Sequence, residues 1–258
     1  MPEKKTKLPW QPAPSEAFLH AGDAHLWRMS LACGPAVLEQ FWETLSEDEC
    51  DRASRFRFEK DRSRYVAARG ALRAILSRYT ATAPADFRFD YSLQGKPSLA
   101  KPAHFPVPEF NLAHSRDLAV FAVTQGRAVG VDLEAVDETF PVLDVAPDIF
   151  TDEELQSLES MAERKRHDAF FKLWTCKEAL LKARGDGFSA DPKSVNIAWE
   201  KQTPRLRAFE PETAAWSLRV FDVADGYAAA LAMREKIERV SFFQITPAHA
   251  ARACSLSS

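Results

Sequence analysis

A short acidic signature occurs twice in this chain, about 105 residues apart: Leu45-Ser46-Glu47-Asp48-Glu49 and Phe150-Thr151-Asp152-Glu153-Glu154. Each copy has a hydroxyl residue followed three positions later by Glu, which is the pattern of a reciprocal helix N-cap. Each also precedes a long, basic, aromatic-studded segment with helical spacing. A third element repeats in the same order, since Asp117 to Val123 (DLAVFAV) is echoed by Gly226 to Ala232 (GYAAALA). Three elements in one order predict a duplicated α/β unit, and two copies of a unit pack as a pseudo-dimer with a cleft between the halves.

The rest of the chain is compatible with that plan. At 258 residues, with 46% hydrophobic and 28% charged residues, it can bury a substantial core as one large or two small domains. No apolar run approaches the roughly 20 residues needed to span a bilayer, and MPEKKTKLPW lacks the apolar centre of a secretory signal. A cytoplasmic protein with no membrane partner is therefore expected. Cys33, Cys50, Cys176 and Cys254 show no zinc spacing and fit a reducing compartment. The net charge of −3 and pI of about 6.1, with no recognised binding motif, argue against a nucleic-acid partner.

Charge is nevertheless unevenly placed. Arg52, Arg55, Arg57, Lys60, Arg62, Arg64, Arg69 and Arg73 share one stretch with Phe56, Tyr65, Val66, Leu72 and Ile75. This predicts an amphipathic helix with a basic outer face, either simply solvated or facing a polyanionic ligand. Ahead of it, His25 to Leu31 reads as a strand; after it, Phe87 to Tyr91 reads as another, followed by a turn at Gln94-Gly95-Lys96-Pro97 and an irregular proline-dense stretch to Pro108. Leu118 to Val123 and Ala128 to Glu134, joined by Thr124 to Arg127, read as a hairpin. The expected organisation is an irregular arm over 1–22, a first half over 23–126, a second half over 127–248, and a tail over 249–258.

Chemistry concentrates in GVDLE (Gly130 to Glu134) and LWTCKEALLK (Leu173 to Lys182). Alternation along the first puts Val129, Val131 and Leu133 on one face and Asp132 and Glu134 on the other, where two carboxylates repel unless a cation lies between them. In the second, Glu178 and Lys182 lie one helical turn apart on one face. A helix packed beside that strand would bring Asp132, Glu134 and Glu178 into a hard oxygen cage suited to Mg²⁺.

The ordered set of GKP (Gly95 to Pro97), NLAHS (Asn111 to Ser115), GVDLE and WTCKEALLK resembles the 4'-phosphopantetheinyl transferases of the larger, Sfp-like group. One departure is Ala113, where that group usually has Ser. The resemblance implies an α+β fold, a pseudo-dimer of two similar α/β halves, each an antiparallel sheet packed with a long helix. It also implies Mg²⁺-dependent transfer of the 4'-phosphopantetheine arm of coenzyme A to a serine of an apo acyl or peptidyl carrier protein, with release of 3',5'-ADP. Fatty acid, polyketide or nonribosomal peptide synthesis could be the pathway served. A monomer is expected.

Under that resemblance Asp132, Glu134 and Glu178 hold the metal, and Lys182 reaches a pyrophosphate oxygen or instead pairs with Glu178. Glu178 is the candidate general base, with a water in the metal cage as the alternative. Coenzyme A contacts fall to Arg52, Lys96, His114, Lys177 and Lys182. His114 could equally be structural, Lys96 simple turn chemistry, and Trp174 core packing. Two other functions remain open on sequence alone: a Mg²⁺-dependent hydrolase of coenzyme A or a nucleotide, and a non-catalytic coenzyme A binding module.

Overall fold

Both acidic signatures do start helices. Ser46 and Thr151 each sit at an N-cap in extended backbone, and the Glu three residues later reaches back to the cap, through Glu49 to the Ser46 N–H at 3.1 Å and through Glu154 to the Thr151 N–H at 2.8 Å. The computed structural model describes residues 10–80, 82–100, 107–185, 190–200, 203–211 and 215–255.

The first half runs from a two-residue segment β1 (Gln11–Pro12) into β2 (Asp23–Ser30), then three helices, α1 (Pro35–Trp42), α2 (Glu47–Ser54) and α3 (Glu59–Leu76). A small hairpin of β3 (Phe89–Tyr91) and β4 (Pro97–Leu99) and a long one of β5 (Pro108–Ser115) and β6 (Leu118–Gln125) complete it. The second half repeats this order: β7 (Val129–Ala135), α4 (Val142–Ile149), α5 (Asp152–Glu159), α6 (Glu163–Arg184), the hairpin of β8 (Val195–Glu200) and β9 (Thr203–Phe209), then β10 (Trp216–Val220) and β11 (Tyr227–Arg234). Strand β12 (Arg239–Gln244) and helix α7 (Pro247–Ser255) follow. The main sheets are ordered β1-β12-β2-β6-β5 and β10-β11-β7, so β2-β6-β5 of one half matches β7-β11-β10 of the other. The expected pseudo-dimer of α/β halves is the architecture found.

Strand alternation sorts the core into three layers. Trp27, Ala119, Phe121 and Val123 turn toward α1, α3 and α7. Leu26, Val120 and Ala122 turn the other way, onto Val129, Val131, Leu133, Leu231 and Met233. Ala228, Ala230 and Ala232 of β11 then pack under Leu173, Cys176 and Leu180 of α6. The order is helix, sheet, sheet, helix. Each large apolar side chain removed from water contributes about 1.5–3 kcal/mol, so the middle layer binds the halves into one body.

The duplication extends to a buried ion pair in each half. Glu49 is fully buried and pairs with Arg69 and with Arg73 of α3, the latter at 2.5 Å. Glu154 pairs with Lys177 of α6 at 2.8 Å, both side chains buried. Arg73 and Lys177 stand at the same position counted from the first residue of their helices. A glutamate that caps one helix and neutralises a cation of the next satisfies two obligations at once, and breaking such a pair costs more than making it gains.

Three expectations need correction. Leu118–Gln125 and Val129–Ala135 do not form a hairpin: β6 pairs with β2 and β5, while β7 pairs with β11 in the other sheet. The tight hairpin is β5–β6, with Arg116 in the left-handed region at φ 52°. The basic stretch is two helices rather than one, and Arg69 and Arg73 turn inward to Glu49 instead of lining an outer face. Of the proline-dense stretch, Pro97–Leu99 is the strand β4, and residues 101–106 lie outside the described residues. Strand β12 pairs in parallel with β2, and α7 runs to Ser255 against the first-half core. Among the described residues no helix is long and apolar enough to cross a membrane.

Candidate active site

Helix α6 lies on β7 because one residue has no side chain. A Cβ at Gly130 would meet the Ala179 carbonyl oxygen and the Ala183 nitrogen, both backbone atoms of α6. Glycine therefore sets the approach. Gly130 shares its strand face with Asp132 and Glu134, so the same contact brings both carboxylates beneath the last turns of α6, where Glu178 and Lys182 project one turn apart.

The Lys182 ammonium donates to Asp132 Oδ1 at 2.5 Å. Asp132 is 3% exposed, and its Oδ2 is buried with no hydrogen-bond partner. Glu134 is half-buried and accepts from the Ser115 hydroxyl at 3.0 Å. Burial pushes the Asp132 carboxyl up, opposed by Lys182. Burial and then Asp132 push Glu134 up. Glu178 is raised by burial, with Lys182 pulling against it and Asp132 adding to the shift. Burial alone would lower Lys182, but Asp132, Glu178 and Glu134 together raise it. Three carboxylates that each disfavour their own charge, around one cation, make a site short of positive charge.

Among the described residues, no three His, Cys, Asp or Glu side chains close into a finished metal-binding cluster. The ammonium stands against Asp132 instead. The donor set still fits a hard divalent cation, because an unpartnered, buried carboxylate oxygen and two neighbouring carboxylates are what such an ion takes.

Beside these groups a cleft of about 330 Å³ is lined by Phe56, Asp61, Arg64, Tyr65, His114, Ser115 and Arg116. The His114 imidazole is solvent-accessible, yet burial of its surroundings and then the Lys182 and Arg64 cations hold its pKa below the usual histidine value. Arg52 is exposed at the rim, its guanidinium 5.6 Å from the Tyr65 ring centre. Arg64 faces the cleft but is held by Asp117 at 2.8 Å.

Two of the expected coenzyme A contacts are engaged elsewhere. Lys177 is fully buried, ion-paired with Glu154 and donating to the Pro192 and Val195 carbonyls, and among the described residues it is not part of the cleft lining. It lies next to Glu178 in sequence but about 100° around the helix. The Lys96 ammonium donates to the Val129 and Ala183 carbonyls, both at 3.1 Å, and so caps the C-terminal end of α6 against β7 rather than facing the cleft. Trp174 is core packing. Asn111 and Ser115 belong to the NLAHS motif, but only the fold shows what they touch. The Asn111 carboxamide oxygen accepts from the Val131 N–H at 2.9 Å, and Ser115 Oγ accepts from the Ala135 N–H at 3.0 Å.

Comparison with known proteins gives the family of this chain. Residues 128–232 match the family model described as 4'-phosphopantetheinyl transferase superfamily, and residues 33–126 match the model 4'-phosphopantetheinyl transferase, N-terminal. Over 87% of this chain and 93% of the other, the sequence is 38% identical to 4'-phosphopantetheinyl transferase HetI of Nostoc sp. (strain PCC 7120). The chain belongs to the 4'-phosphopantetheinyl transferase family. This transferase is also similar to 4'-phosphopantetheinyl transferase Sfp of Bacillus subtilis (strain 168), at 24% identity over 75% of this chain and 84% of that one. A solved holo-(acyl-carrier-protein) synthase from Bacillus anthracis overlaps 42% of the transferase and 96% of its own chain, at 18% identity and a TM-score of 0.37, too loose a fit to bear on the fold.

Proposed function

We propose that this transferase moves the 4'-phosphopantetheine group of coenzyme A to a serine of an apo acyl or peptidyl carrier protein, using Mg²⁺ and releasing 3',5'-ADP. The observation that carries the reading is the buried, unpartnered Asp132 Oδ2 with Glu134, Glu178 and Lys182 around it, next to a cleft whose wall bears His114 and Arg116. Bound there, Mg²⁺ would polarise the diphosphate and offset charge on the leaving group. Lys182, already held at Asp132, donates a fixed positive charge to the same oxygens. Glu178, whose carboxyl burial makes more basic than a free one, is suited to take the proton of the incoming serine hydroxyl. A neutral His114 offers a single N–H to a phosphate at the cleft, and Arg52 adds charge at the rim. All four cysteines are free, as suits a reducing compartment such as the cytoplasm.

Incubation with coenzyme A, with and without an apo carrier and with and without Mg²⁺, tests the reading. Intact-mass analysis should show the carrier gaining phosphopantetheine, and 3',5'-ADP should appear, only when all components are present. Breakdown of coenzyme A without carrier would favour a hydrolase, and binding without turnover a non-catalytic module. Asp132→Ala should abolish Mg²⁺-dependent transfer while the chain stays folded; a near-native rate would remove the metal assignment.

A further inference from the structure

The strand that bears the metal-binding candidates has an open edge. One side of β7 is laddered to β11, whereas its other side abuts β5 of the first half without forming a ladder. Two β5 side chains satisfy that edge instead. Asn111 Oδ1 takes the Val131 N–H, and Ser115 Oγ takes the Ala135 N–H, so the two contacts bracket Asp132 and Glu134 along the strand. Ser115 does more than accept, because its hydroxyl hydrogen goes to Glu134 Oε2 at 3.0 Å. The serine thus relays between the backbone of β7 and one of the carboxylates that β7 carries. A hydroxyl has one donor and two acceptor sites, and both kinds are in use.

From this geometry we infer that Asn111 and Ser115 are positioning residues for the cation site, with Ser115 fixing the rotamer of Glu134 and both fixing the strand beneath Asp132. The inference rests on the proposed reading that these carboxylates hold a divalent ion. In this arrangement the first half supplies no carboxylate of the cage but sets its shape. Hydrogen-bonding partners of metal-ligating carboxylates orient them, and losing one commonly costs about 10–100-fold in metal affinity.

The experiment titrates Mn²⁺, followed by loss of its free-ion magnetic resonance signal, into the unmodified protein, Ser115→Ala, Ser115→Thr and Asp132→Ala. Asp132→Ala should abolish binding, Ser115→Ala should weaken it about 10–100-fold, and Ser115→Thr, which keeps the hydroxyl, should recover most of the loss. If Asp132→Ala loses the ion while Ser115→Ala binds it like the unmodified protein, the positioning role is overturned and the metal reading survives. If Asp132→Ala binds normally, the metal reading itself fails and takes this inference with it. Native-state hydrogen exchange on the unmodified protein needs no variant to fold. The Val131 and Ala135 amides should be protected to the level of their ladder-bonded neighbours in β11, and exchange of either as fast as an open loop would also overturn the role.

Discussion

Replacing Gly130 with alanine adds a single methyl group where α6 meets β7, and the two nearest atoms it encounters, the Ala179 oxygen and the Ala183 nitrogen, belong to the helix backbone. A clash with a flexible side chain relaxes by rotamer change, but this one requires α6 to move. Overpacking of a tight core costs about 1–3 kcal/mol, and a backbone obstacle places Gly130→Ala at the upper end, about 3 kcal/mol. For a chain of this size that corresponds to a fall in Tm of roughly 6–12 °C. The functional effect should be larger in proportion. Lys182 and Glu178 ride on α6 and Asp132 on β7, so an outward shift of the helix opens the 2.5 Å contact between Lys182 and Asp132. A displacement of about 1 Å at a reacting centre can cost about 100-fold in rate. Thermal melts followed by circular dichroism and transfer rates from intact-mass time courses, at a temperature where the variant is folded, measure both quantities. A variant that melts within 2 °C of the unmodified protein and keeps its full rate would refute the claim that glycine sets the distance between this helix and this strand.

Lys96→Met should lower stability by about 1–3 kcal/mol by stripping its partner from the Ala183 and Val129 carbonyls, while leaving the KM for coenzyme A nearly unchanged. A raised KM at unchanged stability would restore the coenzyme A contact that the family resemblance implies for Lys96. Lys177→Met leaves Glu154 buried without its cation and should cost about 3–5 kcal/mol, read as a large drop in the urea midpoint; a loss below 1 kcal/mol would show that the pair contributes little. His25 is 5% exposed, and burial depresses its pKa to about 4. The unfolded imidazole, with its ordinary value near 6.5, takes up a proton that the folded one refuses, so this contribution to stability is complete above about pH 6.5 and is lost as pH falls toward 4. At pH 5 the loss is about 2 kcal/mol. Urea melts of the protein and of His25→Phe at pH 7.5 and 5 should show that difference in the former alone, and equal pH dependence in both would contradict it.

What the sequence made legible was what local periodicity encodes. The capping pairs Ser46/Glu49 and Thr151/Glu154, the strand face shared by Asp132 and Glu134, and the helical turn from Glu178 to Lys182 depend only on neighbours within a few positions, and their spacing encodes them. What local spacing does not encode is a partner far along the chain. Nothing near Arg69 or Arg73 indicates that a glutamate from the preceding helix waits inside, so both looked like a solvated basic face. Lys177 and Glu178 are adjacent letters, but the helix turns them about 100° apart, and only the fold shows that Glu154 lies on the first side and Asp132 on the second. The alternating segments Leu118–Gln125 and Val129–Ala135 looked like a hairpin because closeness in sequence favours pairing. The connection between them, with Gly126 at φ 65° and the Thr124 hydroxyl donating to the Arg127 carbonyl at 2.7 Å, instead carries the chain from one sheet to the other.

The parallel seating of β12 on β2 has a bearing on how this molecule comes into being. A strand from beyond residue 238 and the helix after it complete the layer that began near residue 23, so the sheet of the earlier copy gains its parallel neighbour only when the later one is threaded back across it. Severing the chain between the two copies would accordingly give not a pair of self-sufficient pieces but one fragment missing its neighbour strand and another exposing it.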